Sequence, residues 1–152
     1  MCDELKFRYA ERKDVALILK FINELADYEK MLNEVVADEA TLEEWIFDRG
    51  KAEVIFACLG DKEIGFALFF HNFSTFLGRA GLYLEDLYVS PEYRGNGYGK
   101  AALKKLAEIA VERAVVWNGG VWIGINQVLI FIYRWVQNRC LTGQYIGLLV
   151  IH

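Results

Sequence analysis

Tyr83-Leu84-Glu85-Asp86-Leu87-Tyr88-Val89, running into Ser90-Pro91-Glu92-Tyr93-Arg94-Gly95-Asn96-Gly97-Tyr98-Gly99, carries the residue types best suited to chemistry in this chain. The stretch reads as a strand, a tight glycine-rich loop, and a helix from Tyr98 to Arg113. Glycines at alternate positions let successive backbone N–H groups turn toward one point with no Cβ in the way. Those amides, backed by the positive end of the helix and by Arg94, make a site for a phosphate or pyrophosphate. A P-loop does not fit, because position 94 is Arg and position 101 is Ala. A dinucleotide fingerprint needs G-x-G-x-x-G early in a βαβ unit, whereas this chain has G-x-G-x-G in its middle. The bland alternative is a glycine-rich turn that binds nothing, and Arg94 and the V-x-P lead-in weigh against it.

With those residues in place, the string L-Y-V-S-P-E-Y-R-G-N-G-Y-G resembles the acetyl-CoA-binding signature of the GNAT superfamily of N-acetyltransferases, [RQ]-x-x-G-x-[GA] after a strand. Glu24-Leu25-Ala26-Asp27-Tyr28-Glu29 and Tyr83-Leu84-Glu85-Asp86 are similar to the spermidine/spermine N1-acetyltransferase (diamine acetyltransferase) branch. The resemblance is drawn from about Phe7 to Arg113. It implies an α/β GNAT fold, a mixed central β-sheet flanked by helices, with CoA at a splay between two parallel central strands. It also implies acetyl-CoA as cosubstrate, no metal, a small-molecule amine as partner, and a homodimer.

Acetyl transfer to an amine makes two demands. The ammonium must lose a proton from a pKa of about 10, and the developing oxyanion must be stabilised. The resemblance assigns backbone N–H groups of Leu87, Tyr88 and Val89 to the pantetheine and thioester. Arg94, Gly95, Asn96, Gly97, Tyr98 and Gly99 then hold the pyrophosphate. Glu85 matches the residue that accepts the amine's proton and attracts a polycation, and Tyr28 and Glu29 match the substrate-contacting pair. Asp86 points to the opposite face by strand alternation and is expected to be structural. Two other readings stay open: an acceptor that is an amino acid, antibiotic or protein amine, and a catalytically silent acyl-CoA-binding module.

The 152 residues fit one domain with a standard core. No signal-peptide pattern and no apolar run of transmembrane length occurs, so no membrane partner is expected. Cys2, Cys58 and Cys140 are an odd, scattered three without metal-ligand spacing, which suits a reducing cytoplasm. A net charge of −4 argues against nucleic acid and mildly favours a cationic substrate.

The elements that must position the site follow from hydrophobic period. Lys6–Ala10 alternates as a strand. Asp14 is placed to cap a helix bearing Leu17, Ile18, Phe21, Ile22 and Leu25. Thr41-Leu42-Glu43-Glu44 reads as a capping box opening a short second helix with Trp45 and Ile46. Ala52–Leu59 and Glu63–Phe73 are strands joined by a hairpin at Gly60-Asp61-Lys62. After a loop at Ser74–Ala80, Gly81–Val89 is the next strand, and the following helix turns Leu103, Leu106, Ala107, Ile109 and Ala110 to the sheet. The order is β-α-α-β-β-β-α, with a β-α-β expected after it.

The remainder is anomalous. All 21 Asp and Glu residues lie at or before Glu112, and Ala114–His152 holds only Arg134 and Arg139 as charges, yet three of the four Trp. At 25% charge overall, such a segment should carry about ten. Read from the third base of each codon, Val116–His152 permits a translation containing W-N-x-P-S-I-x-F-Y-x-x-x-G-A. Trp has a single codon, so Trp117–Asn118 is forced to Glu, Trp122–Ile123 to Asp and Trp135–Val136 to Gly. The string resembles the fourth conserved segment of the same acetyltransferase branch, and a single-base deletion near the codons for Arg113–Ala114 accounts for it. The family's general acid is the Tyr of that F-Y pair. Tyr133 stands one position late, about 100° around a helix. If the tail folds as given, Gly120–Asn126 is its parallel strand, Gln127–Gln137 a helix and Gln144–Ile151 a last strand.

Overall fold

The computed structural model describes residues 4–113 and 115–118. Five strands form one sheet in chain order: β1 (Leu5–Tyr9), β2 (Glu53–Leu59), β3 (Lys62–Ser74), β4 (Arg79–Val89) and β5 (Val116–Asn118). The first four pair antiparallel, and β5 runs parallel to β4, with Gly81 opposite Val116 and Tyr83 opposite Asn118. Helix α1 (Val15–Tyr28) covers one face of the sheet and α3 (Tyr98–Glu112) the other, with the short α2 (Glu39–Leu42) beyond α1. The mixed sheet flanked by helices is the expected architecture.

Period two in the strands explains why both faces bury. On β2, Val54, Phe56 and Cys58 point toward α1 and pack with Ile18, Phe21 and Phe66. Ile55 points the other way, to Ala67, Phe69, Leu82, Leu84 and the α3 residues Leu103, Leu106, Ile109 and Ala110. Phe21 lies almost parallel to Phe66, with ring centroids 5.7 Å apart. No helix among the described residues is long and apolar enough to cross a membrane.

Several boundaries differ from the sequence reading. Asp14 occupies the position before α1, but its side chain makes no cap. Its carboxylate instead accepts from Arg8 Nη1 at 2.7 Å and from the Glu11 amide at 2.8 Å. The Arg8 guanidinium holds the Asp14 carboxyl below the usual carboxylate range. The second helix is capped by Asp38, whose Oδ1 takes the Thr41 amide at 2.8 Å and the Thr41 hydroxyl at 2.6 Å. Thr41 therefore lies inside the helix. Glu43–Asp48 continues it with a wider, π-type turn that buries Ile46 and leaves Trp45 half-exposed under Arg49. The β3–β4 connection is only Thr75–Gly78, because the ladder extends to Ser74 opposite Arg79. The first residues parallel to β4 are Val116–Asn118, four residues ahead of the expected strand, and Gly120–Asn126, Gln127–Gln137 and Gln144–Ile151 lie outside the described residues.

Gly65 fixes how closely β3 approaches the end of β4. A Cβ there would stand 2.3 Å from the Tyr88 carbonyl oxygen and 3.0 Å from Val89 Cα. Both contacts are backbone and cannot swing aside. Gly65→Ala is expected to lower stability by about 1–3 kcal/mol in urea unfolding, the usual range for overpacking; an unchanged midpoint would show that β4 gives way there.

Candidate active site

The loop after β4 is built by short-range hydrogen bonds. The Ser90 amide donates to Ile64 O at 2.9 Å and holds the strand exit against β3. Pro91–Tyr93 makes one 3₁₀ turn, closed by the Tyr93 amide to Ser90 O and the Arg94 amide to Pro91 O. Gly95 and Gly97 follow at φ of 83° and 81°, a left-handed backbone that glycine adopts without strain. Between them Asn96 donates through Nδ2 to Tyr93 O at 3.0 Å and Arg94 O at 3.3 Å. Gly97 is the cap residue of α3.

The consequence is a row of backbone amides without partners. From Gly95 to Gly99 none donates a hydrogen bond among the described residues. A Cβ at Gly95, Gly97 or Gly99 would meet no atom within 4 Å. The first turn of α3 adds its dipole to these donors. Arg94 is tied down through Nε to Val89 O at 2.8 Å, and its guanidinium lies 4.3 Å from the Tyr28 ring centroid and 5.3 Å from that of Tyr88. It forms no ion pair among the described residues. Open space, bare amides and an oriented guanidinium fit a pyrophosphate.

Upstream of the loop, β4 carries an irregularity that strand alternation hides. Asp86 is opposite Leu68 but Leu84 is opposite Phe69, so Glu85 is one residue too many for its partner strand. This β-bulge switches which residues share a face. Leu82 and Leu84 pack on the α3 side before it; Leu87 packs on that side and Tyr88 on the α1 side after it. Glu85 is exposed, while Asp86, between Glu85 and Leu87, is half-buried.

Asp86 differs electrostatically from the other acids. Burial first, then the charge of Glu85, then that of Glu29 push its carboxyl up to about 6. Glu29 reaches this group from the last turn of α1. There the chain turns through a Schellman closure, with Lys30 at φ 61° and the Met31 amide donating to Ala26 O at 2.8 Å. Carboxylates from two elements thus act on Asp86, and none of the three forms an ion pair among the described residues.

The structure therefore brings together most of the residues singled out from sequence. Arg94, Gly95, Asn96, Gly97, Tyr98 and Gly99 form one loop and helix start, and Leu87, Tyr88 and Val89 lead into it. Tyr28 lies against Arg94, next to the anion loop. His71 approaches Glu53 at 3.9 Å, away from these groups. The strand splay beside Leu87–Val89 and Tyr133 fall outside the described residues. Strand alternation alone places Asp86 on the face away from Glu85, as a structural residue. The bulge breaks that alternation, and the sequence signal that remained was an acidic pair inside an apolar strand.

The chain matches the Acetyltransferase (GNAT) family over residues 19–134. It is 33% identical over 147 residues to thialysine N-epsilon-acetyltransferase of Sus scrofa, covering 89% of this chain and 84% of the relative. The Caenorhabditis elegans thialysine N-epsilon-acetyltransferase is 35% identical, over 82% of this chain and 77% of its own. An aminoglycoside acetyltransferase from an uncultured soil metagenomic sample shares the fold at 17% identity and TM-score 0.69, over 97% of this chain and 93% of its own. The chain belongs to the GNAT acetyltransferase family and is an N-acetyltransferase. The family match runs past Arg113, so the similarity does not end where the motifs in the sequence do.

Burial that raises the Asp86 carboxyl makes its charged form a cost to the fold. That cost is present in full above about pH 6 and disappears as pH falls below the unfolded value near 4. Asp86→Asn is therefore expected to melt higher than wild type at neutral pH, with the difference closing between about pH 6 and 4. A difference independent of pH would mean that Asp86 is held by something other than burial and its acidic neighbours.

Proposed function

We propose that this chain moves the acetyl group of acetyl-CoA to a primary amine of a diamine, a polyamine or a related amino-alkyl compound. The observation that carries the reading is adjacency: the bare amides of Gly95–Gly99 and Arg94 stand past one end of β4, and upstream on that strand Asp86 feels the charges of Glu85 and of Glu29 from α1. An anion cradle follows the end of β4, and two of the three acids of the cation receiver lie on that strand, with the third at the end of α1. The names of its relatives, thialysine N-epsilon-acetyltransferase and a human spermidine/spermine N1-acetyltransferase-like protein, support an amino-alkyl acceptor.

Acetyl-CoA, when bound, supplies the activated acetyl group. Arg94 and the amides of Gly95, Asn96, Gly97, Tyr98 and Gly99 hold its pyrophosphate, and the backbone of Leu87, Tyr88 and Val89 runs along its pantetheine. Glu85, exposed at the bulge, accepts the acceptor's proton directly or through one water. Glu29 draws the cationic amine, and Tyr28 joins its side of the site to Arg94. The reading includes a homodimer in the cytoplasm, as the resemblance implies. It also includes a shifted frame after Arg113, which leaves the general acid displaced and turnover weaker than acetyl-CoA binding; reading the source gene across the codons for Arg113–Ala114 tests that part.

Thiol release from acetyl-CoA across putrescine, spermidine, thialysine, an amino acid and an aminoglycoside tests the acceptor. Release is expected with the first three, and its absence with every amine contradicts the proposal. Arg94→Ala should raise KM for acetyl-CoA about tenfold or more, the loss of one charge-assisted contact, while KM for the amine changes little. Equal increases in both would place Arg94 outside the pyrophosphate site.

A further inference from the structure

The three carboxylates of the proposed amine side differ in exposure. Glu85 is exposed as the extra residue of the bulge. Glu29 is exposed at the end of α1. Asp86 alone is half-buried, one residue past the bulge and three before the end of β4, where the strand passes into the anion loop. Its partner across the sheet, Leu68, is apolar. The charged groups that act on it are Glu85 on its own strand and Glu29 on α1, both acidic.

A carboxylate so placed has two properties that an exposed one lacks. It gains by taking up a proton, since protonation removes both its desolvation and its repulsion from two neighbours. It is also held by the strand backbone on both sides, so its distance to the thioester end of the site is set by the fold. Efficient proton transfer favours a base whose affinity for the proton approaches the working pH.

We propose that Asp86, half-buried one residue past the bulge, is a second proton-handling residue of this acetyltransferase, the carboxylate on which the proton from the acceptor ammonium comes to rest. The inference rests on the amine-acetylating reading above and adds a group to it. In the step itself an ammonium N–H bond breaks and its electron pair stays on nitrogen. The proton bonds to a carboxylate oxygen of Asp86, reached through Glu85 or one water. The freed lone pair forms the N–C bond as the C–S bond breaks, and the sulfur takes up the proton that nitrogen sheds in becoming an amide. Asp86 then returns its proton to solvent. The bulge has a role in this scheme: were Glu85 paired in a regular ladder, alternation would put Asp86 on the α3 face with Leu84.

Two measurements test the proposal, the first independent of turnover. Carbon-13 NMR titration of the Asp86 carboxyl in the whole chain should give a midpoint near about 6, moving down in both Glu85→Gln and Glu29→Gln. A midpoint in the ordinary aspartate range, or one that neither substitution moves, overturns it. The second is the pH profile of kcat/KM for the best amine of the panel above, at saturating acetyl-CoA. Asp86→Asn should cut kcat/KM about 10²-fold and abolish the acid limb, leave KM for acetyl-CoA unchanged, and be partly rescued by Asp86→Glu. An acid limb that persists in Asp86→Asn and vanishes in Glu85→Gln assigns the proton to Glu85 and overturns the proposal. A chain that binds CoA yet acetylates none of the amines overturns the functional reading, and the proton role of Asp86 with it; a chain that acetylates them with the limb intact in Asp86→Asn overturns Asp86 alone.

Discussion

The site depends on one extra residue. Glu85 has no partner on β3, and its insertion between Leu84 and Asp86 rotates the second half of β4 relative to the first. Before the bulge the strand places Leu82 and Leu84 under α3; after it, Tyr88 turns toward α1 and joins Phe21 and Phe66. The same insertion sets Glu85 in solvent and Asp86 at the boundary between core and water. Hydrophobic packing on either side holds the irregularity in place, since undoing it would drive Asp86 into one core cluster and pull Tyr88 out of the other.

The second half of the site is attached to the first through Tyr88. Its ring lies beneath Arg94 on one side and against Phe21 on the other, with centroids 6.2 Å apart in the latter pair. Arg94 is further fixed by its bond to the Val89 carbonyl and by Tyr28 from the end of α1. A guanidinium usually loses side-chain entropy when it grips an anion. Here three contacts have already confined it. Because Tyr28 immediately precedes Glu29 at the closure of α1, the contact to Arg94 and the charge that acts on Asp86 come from one short turn.

The architecture was largely legible because its signals are periodic or chemically blunt. Two-residue alternation marks β1, apolar β-rich runs around a glycine turn mark β2 and β3, three-to-four spacing marks α1 and α3, and alternate glycines beside Arg94 mark the anion loop. What escaped were features whose cause lies across the sheet. The bulge depends on the register of β3 against β4, and no residue within Tyr83–Val89 announces it. Asp14 looked like a helix cap until Arg8, a strand neighbour in space, claimed its carboxylate. Thr41 looks like a cap too, but Asp38 lies three residues earlier and its Oδ1 takes both the Thr41 amide and the Thr41 hydroxyl. The contact of the Tyr28 ring with Arg94 is likewise not announced by the sequence around either residue.

The central claim is that the bulge places an acid pair beside the reacting amine while the loop that follows holds the pyrophosphate. A crystal structure with a bisubstrate analogue, spermidine joined to CoA through an acetyl bridge, tests it most directly. The account predicts pyrophosphate oxygens on the amides of Gly95–Gly99 and on Arg94, with the bridging nitrogen within hydrogen-bond reach of Asp86 or Glu85, or one water away. A nitrogen approaching from the α3 side, with both carboxylates beyond the reach of a single water, would contradict it.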